Sequence, residues 1–145
     1  MIELYTDGSC QPNPGPGGCA VIHLDEPAHL GYEAFSNNNR MEGLAILAAL
    51  RLAKQQDCLI LTDSLLWVNI LTVWAERWLA RGHRATILDL DIVEPAYRLY
   101  NGSRAELKWV RGHNGLPGNR LADYWANKAR VLGREGMIDE EIVHR

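Results

Sequence analysis

Asp7, Glu42, Asp63 and Asp123 stand where an acid has chemistry open to it. Asp7 follows the apolar run IELYT and Asp63 follows LILT, while Glu42 opens the helix-prone MEGLAILAALRLAKQQ and Asp123 lies in NRLADYW at the start of a last helical stretch. Each alone has an ordinary explanation, because an acid after a strand is common turn chemistry and one in the first turn of a helix complements the helix dipole. The set of four is harder to explain that way. In open α/β sheets ligands gather beyond the carboxyl ends of the strands, so Asp7 and Asp63 meet there if their strands are neighbours. Carboxylates within a few ångströms of one another repel and raise one another's pKa unless cations lie between them. Hard divalent ions such as Mg²⁺ prefer such oxygen ligands. Two of them side by side activate a water and stabilise the leaving oxygen of a phosphodiester, so the set points to metal-assisted phosphodiester hydrolysis.

The elements that must position these acids follow from the pattern. Residues 2–6, 19–24 and 31–36 are short β-prone runs parted by turn residues, which predicts an antiparallel meander. Residues 41–56 predict a helix, with the asparagines at 37–39 as its start signals. The apolar run 59–62 predicts a strand buried on both faces and entered by a helical crossover. From Ser64 to Arg81, Trp67, Leu71, Trp74 and Trp78 fall on one helical stripe; Trp67 and Trp74 are expected in the core, and Gly82 as the stop. A shorter helix over 91–100 puts Pro95 near its first turn. Residues 106–110 predict a strand, and 120–132 a final helix with Asp123 in its first turn. The order βββαβα, short helix, βα predicts an α/β fold: a mixed sheet with helices on its faces.

Between the first two strands, TDGSCQPNPGPGG crowds together glycines and prolines. Gly8, Gly15, Gly17 and Gly18 can take positive φ and the prolines fix φ, which predicts a tight loop, either a plain hairpin turn or one shaped to hold backbone against a ligand. The 145 residues, 47% of them apolar, suit one domain. It is expected over 1–133, with the acid-rich 134–145 as a loosely ordered tail. A net charge of −3 gives no global attraction for nucleic acid, so any such binding rests on a local patch. No apolar run approaches the roughly 18 residues of a membrane span, and no signal segment follows Met1. Cys10, Cys19 and Cys58 are odd in number and lack C-x-x-C spacing, so buried or neutral thiols in a reducing, cytoplasmic compartment are expected. Nothing marks a subunit interface, and a monomer is expected.

YTDGSCQPNPGPGG, NNRMEGLAIL, LTDS and WVRGHNGLPGNRLAD, in that order across about residues 2–132, resemble ribonuclease H of type 1, which cleaves the RNA strand of an RNA/DNA hybrid. The resemblance implies the RNase H-like fold, a mixed five-stranded sheet of three antiparallel strands followed by parallel ones, with helices on both faces. It makes Asp7, Glu42, Asp63 and Asp123 the catalytic carboxylates that hold two Mg²⁺, or Mn²⁺, and implies products with 5′-phosphate and 3′-hydroxyl ends. His113 then corresponds to a mobile histidine that aids proton transfer or product release, in a loop that Gly112, Gly115 and Gly118 let move.

The same resemblance lays Gly8, Ser9, Cys10 and Asn13 along the hybrid's minor groove, where 2′-hydroxyls distinguish RNA from DNA. Asn37 and Asn38 match positions that contact the nucleic acid, including a phosphate of the DNA strand. Arg77, Arg81 and Arg84 resemble the start of a basic substrate-binding projection, with a solvated helix face as the alternative, and Trp78 lies near the DNA sugar-phosphate. Two departures stand out. Leu65 and Leu66 replace a polar residue and an aromatic, which removes one minor-groove hydrogen bond, and Arg120 stands where an acid is common, which bears on the second metal; pairing of Arg120 with Asp123 or with a phosphate is the alternative. These keep open a relative that binds hybrids without cutting; a related-fold nuclease such as a junction resolvase is the other reading.

Overall fold

Leu4 and Tyr5 are neighbours in β1 (Ile2–Cys10) and point to opposite faces of one sheet, as strand alternation requires. Each face has its own core. The computed structural model describes residues 1–82, 84–112 and 115–133. Its sheet also contains β2 (Gly15–Ile22), β3 (His29–Ser36), β4 (Cys58–Thr62) and β5 (Ala105–Trp109), in the order β3-β2-β1-β4-β5. β1, β2 and β3 pair antiparallel, while β4 runs parallel to both β1 and β5. This is the expected mixed five-stranded sheet.

On one face, α1 (Asn38–Ala53) and α4 (Leu90–Asn101) cover Leu4, Val21 and Ile60, with Ile46, Leu50, Ile92 and Val93 buried between. The other face carries α5 (Pro117–Leu132), whose Ala122, Trp125, Ala126 and Ala129 pack on Tyr5, Ala20, Ile22 and Leu61. Asn37 caps α1, its Oδ1 accepting from the Arg40 amide at 2.8 Å. Arg40 in turn reaches Glu33, Asp89 and Asp91 at 2.8, 3.0 and 2.6 Å, tying β3 and the start of α4 to α1.

Several boundaries differ from the sequence expectation. β1 continues past Asp7 to Cys10 because it stays paired with β2, so Asp7 lies inside the strand and the connecting loop shrinks to residues 11–14. The helix predicted over 64–81 is α2 (Leu65–Asn69), a wider π-helical turn over Ile70–Trp74, and α3 (Ala75–Ala80). Trp67 is buried as expected; Trp74 is half-buried and stacks on Trp78, centroids 5.7 Å apart. α4 begins at Leu90, which leaves Pro95 in its second turn; Asp89 just before it is left-handed (φ 55°) and held by Arg40. Residues 134–145, the expected tail, lie outside the described residues. Cys10, Cys19 and Cys58 are buried free thiols, and burial pushes Cys19 up to about 12. Among the described residues no helix is long and apolar enough to cross a membrane.

None of Gly8, Gly15, Gly17 and Gly18 has positive φ, contrary to expectation. Two of them instead permit close approach. A Cβ on Gly18 would strike Ala126 O and Arg130 N of α5, and one on Gly8 would lie 2.5 Å from the Glu42 amide of α1. Gly18→Ala should therefore cost about 2 kcal/mol or more, because overpacking against helix backbone has no rotamer by which to escape. Urea unfolding measures this; an unchanged midpoint would mean that α5 is free to withdraw from β2.

Candidate active site

The register of β1 explains where the acids meet. Its parallel pairing with β4 reaches Tyr5 opposite Leu61, whereas its antiparallel pairing with β2 continues through Asp7 opposite Ala20. Asp7 therefore stands where β1 parts from β4, and Asp63 follows the end of β4, so both acids face the crevice that opens at this switch point. Thr6 Oγ1 donates to Leu61 O at 3.0 Å just below the parting, and Val110 N donates to Thr62 O at 2.8 Å on the other side. The backbone on either side of the crevice is pinned.

Glu42 comes from α1, pressed on β1 because Gly8 has no side chain. It sits in the second turn of α1, not the first, since the helix begins at Asn38, so no dipole role explains it. Ligand oxygens of Asp7, Glu42 and Asp63 all lie within 4.8 Å of one another. Asp123 is likewise beyond the first turn, as α5 begins at Pro117; it is exposed on the wall of the same cleft and adds to the negative field at Asp7. The cleft encloses about 760 Å³, and Gly8, Ser9, Asn38, Ser64 and Arg120 also line it.

The charge balance of this group is unfavourable without a counterion. Burial, together with the nearby Asp63 and Asp123 carboxylates, pushes the Asp7 carboxyl up to about 7, although the Gly8 amide donates to its Oδ1 at 2.8 Å. Burial and the facing Asp7 hold Glu42 well above the carboxylate range. Glu42 Oε2 is buried without a hydrogen-bond partner among the described residues. An orphaned carboxylate oxygen beside two further acids is a donor set for a hard divalent cation, and the residues present fit one.

The remaining candidate residues divide between the cleft and elsewhere. Ser9 Oγ donates to Asn127 Oδ1 at 2.6 Å, and the Cys10 amide donates to Asn38 Oδ1 at 2.8 Å. Asn13 is exposed, and its Oδ1 accepts from the Asn38 amide at 3.1 Å. Cys10 is buried behind this surface, its thiol directed at Pro12 O and Gly15 O. Arg77, Arg81 and Trp78 lie on α3 and just beyond it; Arg84 is ion-paired with Glu94. Trp78 and Arg81 line a separate, mainly apolar hollow of about 480 Å³ with Leu66 and Trp67. Leu65 and Leu66 are exposed at 51% and 41%. Arg120 and Asp123 form no ion pair with each other. His113 lies outside the described residues; Gly112 just before it is close enough to Asp63 that a Cβ there would be 3.2 Å from Oδ2.

Sequence reading missed Asn119 and Asn127 as cleft residues, though their spacing of four from Asp123 was the available signal. It also missed Arg40, whose three acidic partners come from β3 and the segment before and into α4.

The RNase H family model matches residues 1–131. The chain is 39% identical over 145 residues to a protein named ribonuclease H from Polaromonas naphthalenivorans, covering 92% of this chain and 90% of that one. It is 37% identical over 146 residues to ribonuclease HI of Rickettsia prowazekii, with 95% and 93% covered. Among solved structures, LC9-RNase H1, described as a type 1 RNase H with the type 2 active-site motif, superposes with a TM-score of 0.80 at 26% identity, over 96% of this chain and 77% of that one. RNase H1 of Halobacterium salinarum shares the fold at a TM-score of 0.64 and 23% identity, over 88% and 96%.

The raised pKa of Asp7 makes metal-free stability depend on pH. A carboxyl that titrates near 7 in the folded chain and near 3.8 otherwise carries no penalty below about pH 4; as pH rises through that window its ionisation increasingly opposes folding, by on the order of 4 kcal/mol when complete. Asp7→Asn should therefore raise the melting temperature in EDTA most at pH 8, and by progressively less toward pH 4. Thermal denaturation of both proteins across that range tests it, and a pH-independent difference would overturn the electrostatic cause.

Proposed function

The chain belongs to the ribonuclease H family, and from that membership we propose that it hydrolyses the RNA strand of RNA/DNA hybrids with two Mg²⁺ ions, leaving 5′-phosphate and 3′-hydroxyl ends. The observation that carries this reading is the convergence of Asp7, Glu42 and Asp63 where β1 parts from β4, with Asp123 on the facing wall. Bound by these four carboxylates, Mg²⁺ or Mn²⁺ supplies the activation of the attacking water and the stabilisation of the leaving oxygen.

The chain's own residues do the rest. Asp7 and Glu42 are held by buried backbone and so present their oxygens without reorganisation, which keeps the cost of assembling the site out of the reaction step. Gly8, Ser9 and Asn13 offer backbone and small polar groups of a size suited to a minor groove with 2′-hydroxyls. Cys10 shapes this surface from behind, and Asn37 and Asn38 fix it to α1 through the cap and the Cys10 and Asn13 contacts. Such contacts address backbone and groove shape, so little sequence preference follows. On this reading Arg77, Arg81 and Trp78 meet the DNA strand, while Arg84 contributes less because Glu94 neutralises it. His113 is the residue that relays a proton or loosens product. All four carboxylates come from one chain, so a monomer suffices.

Asp63→Asn should abolish Mg²⁺-dependent cutting of a labelled RNA/DNA hybrid while leaving the fold intact by circular dichroism; turnover near the wild-type rate would remove Asp63 from the site. His113→Ala should slow turnover more mildly at saturating substrate, and an unchanged kcat would exclude it from the reaction.

A further inference from the structure

On α5, Arg120, Asp123, Asn127 and Arg130 recur at three- and four-residue intervals and so share one face of the helix. Arg120, Asp123 and Asn127 line the acidic cleft, and Arg130 extends the stripe beyond it. Arg130 is half-buried and held by neutral acceptors: its Nε donates to Ser9 Oγ at 3.3 Å and its Nη2 to Asn127 Oδ1 at 3.4 Å. Neither Arg120 nor Arg130 has a carboxylate partner among the described residues, a state they share with Arg51, Arg77, Arg81 and Arg111, whereas Arg40, Arg84, Arg98 and Arg104 are all ion-paired; of the six, Arg120 lines the acidic cleft and Arg130 continues its face of α5.

This distribution of charge has a consequence for a polyanionic substrate. A chain of net charge −3 must grip phosphate through cations that its own acids leave unneutralised. The projection after α3 is weakened in this respect, since Arg84 faces Glu94, and Asp89 and Asp91 are both held by Arg40. We propose that the Arg120–Arg130 face of α5 is a phosphate-binding ledge for the cut strand, on the side of the cleft away from α3. Ten residues of helix place the two arginines about 15 Å apart along the axis, one at the acids and the other beyond them. Ser9 and Asn127 pre-orient the Arg130 guanidinium, so little side-chain freedom is lost when a phosphate docks. The ledge rests on the reading of the acidic cleft as the hybrid-cutting site.

The test is KM for a labelled RNA/DNA hybrid, measured across a KCl series at fixed Mg²⁺ for the intact chain. Arg120→Gln with Arg130→Gln should raise KM more than it lowers kcat. It should also make the dependence of log KM on log salt shallower by about 1.5, at roughly 0.7 to 0.9 for each phosphate that an arginine no longer neutralises. Arg120→Lys with Arg130→Lys should restore most of that slope, which a purely structural role would not. Arg51→Gln, an exposed change in α1, controls for net charge and should leave the slope as it is. If Arg130→Gln lowers the melting temperature, Arg120→Gln alone, with half the slope change, carries the result. An unchanged slope in the double variant of a protein whose wild type does cut hybrid, or an equal change with Arg51→Gln, overturns the ledge and leaves the cleft assignment standing. A wild type that cuts no hybrid overturns the cleft reading and the ledge with it.

Discussion

Mutual repulsion among carboxylates at the parting of β1 and β4 is the constraint around which this molecule is built. Asp7 and Glu42 are both drawn out of water, and ionising both there opposes folding, so the group survives only because the surrounding backbone leaves it nowhere to go. That rigidity has identifiable sources. The two hydrophobic cores clamp the sheet from both faces, and pairing on both sides of the switch point fixes the strand ends. Missing side chains matter as much as present ones: Gly8 lets α1 press Glu42 toward Asp7, and Gly18 lets α5 settle on β2.

Arg40 performs a related task at longer range. Three carboxylates from β3 and from the segment before and into α4 converge on one guanidinium, which directs that segment back to the first turn of α1. The contacts hold its proton more firmly than usual, with Asp91 the leading cause, and they hold the Asp91 carboxyl below its ordinary range. The acids that make this part of the chain poor in net positive charge are thereby used internally. Their arrangement joins the α3–α4 connection to the same helix end that carries Asn37, Asn38 and Glu42.

How much of this could be read from the sequence depended on whether a feature was local. Strand and helix order followed from periodicity, and the acids were recognisable as a set expected at element ends, although only Asp63 directly follows an element: Asp7 lies inside β1, and Glu42 and Asp123 lie beyond the first turns of their helices. Boundaries failed where a tertiary partner extended an element: β1 continues past Asp7 because β2 offers hydrogen bonds through Cys10, and α5 begins at Pro117, where the sequence looked like loop. The glycines of the first connection were read as sources of unusual φ, but their use is steric, a property visible only when the helix backbones opposite them are known. Arg40 had no signal of its own, since its partners are separated from it by up to about fifty positions. Asn119 and Asn127 did have one, the helical spacing about Asp123, which becomes informative only after Asp123 is placed in a cleft.

The position of Asp123 shows how a helix on the opposite side of the sheet from α1 completes the same site. β1 carries Asp7 and, two residues later, Ser9; Ser9 hydrogen-bonds Asn127, whose side-chain amide donates to the Asp123 carbonyl at 3.0 Å. Gly18, opposite Ser9 in β2, is where the backbone of α5 presses on that strand. A single stretch of β1 is thus fixed on one side to α1 through Gly8 and on the other to α5 through Ser9. The separation between Glu42 and Asp123 is set by packing across one strand instead of by flexible side chains. Packing of this kind has few alternatives in a close-packed interior, so the carboxylates of both helices are held at fixed places around Asp7 before any cation or phosphate arrives.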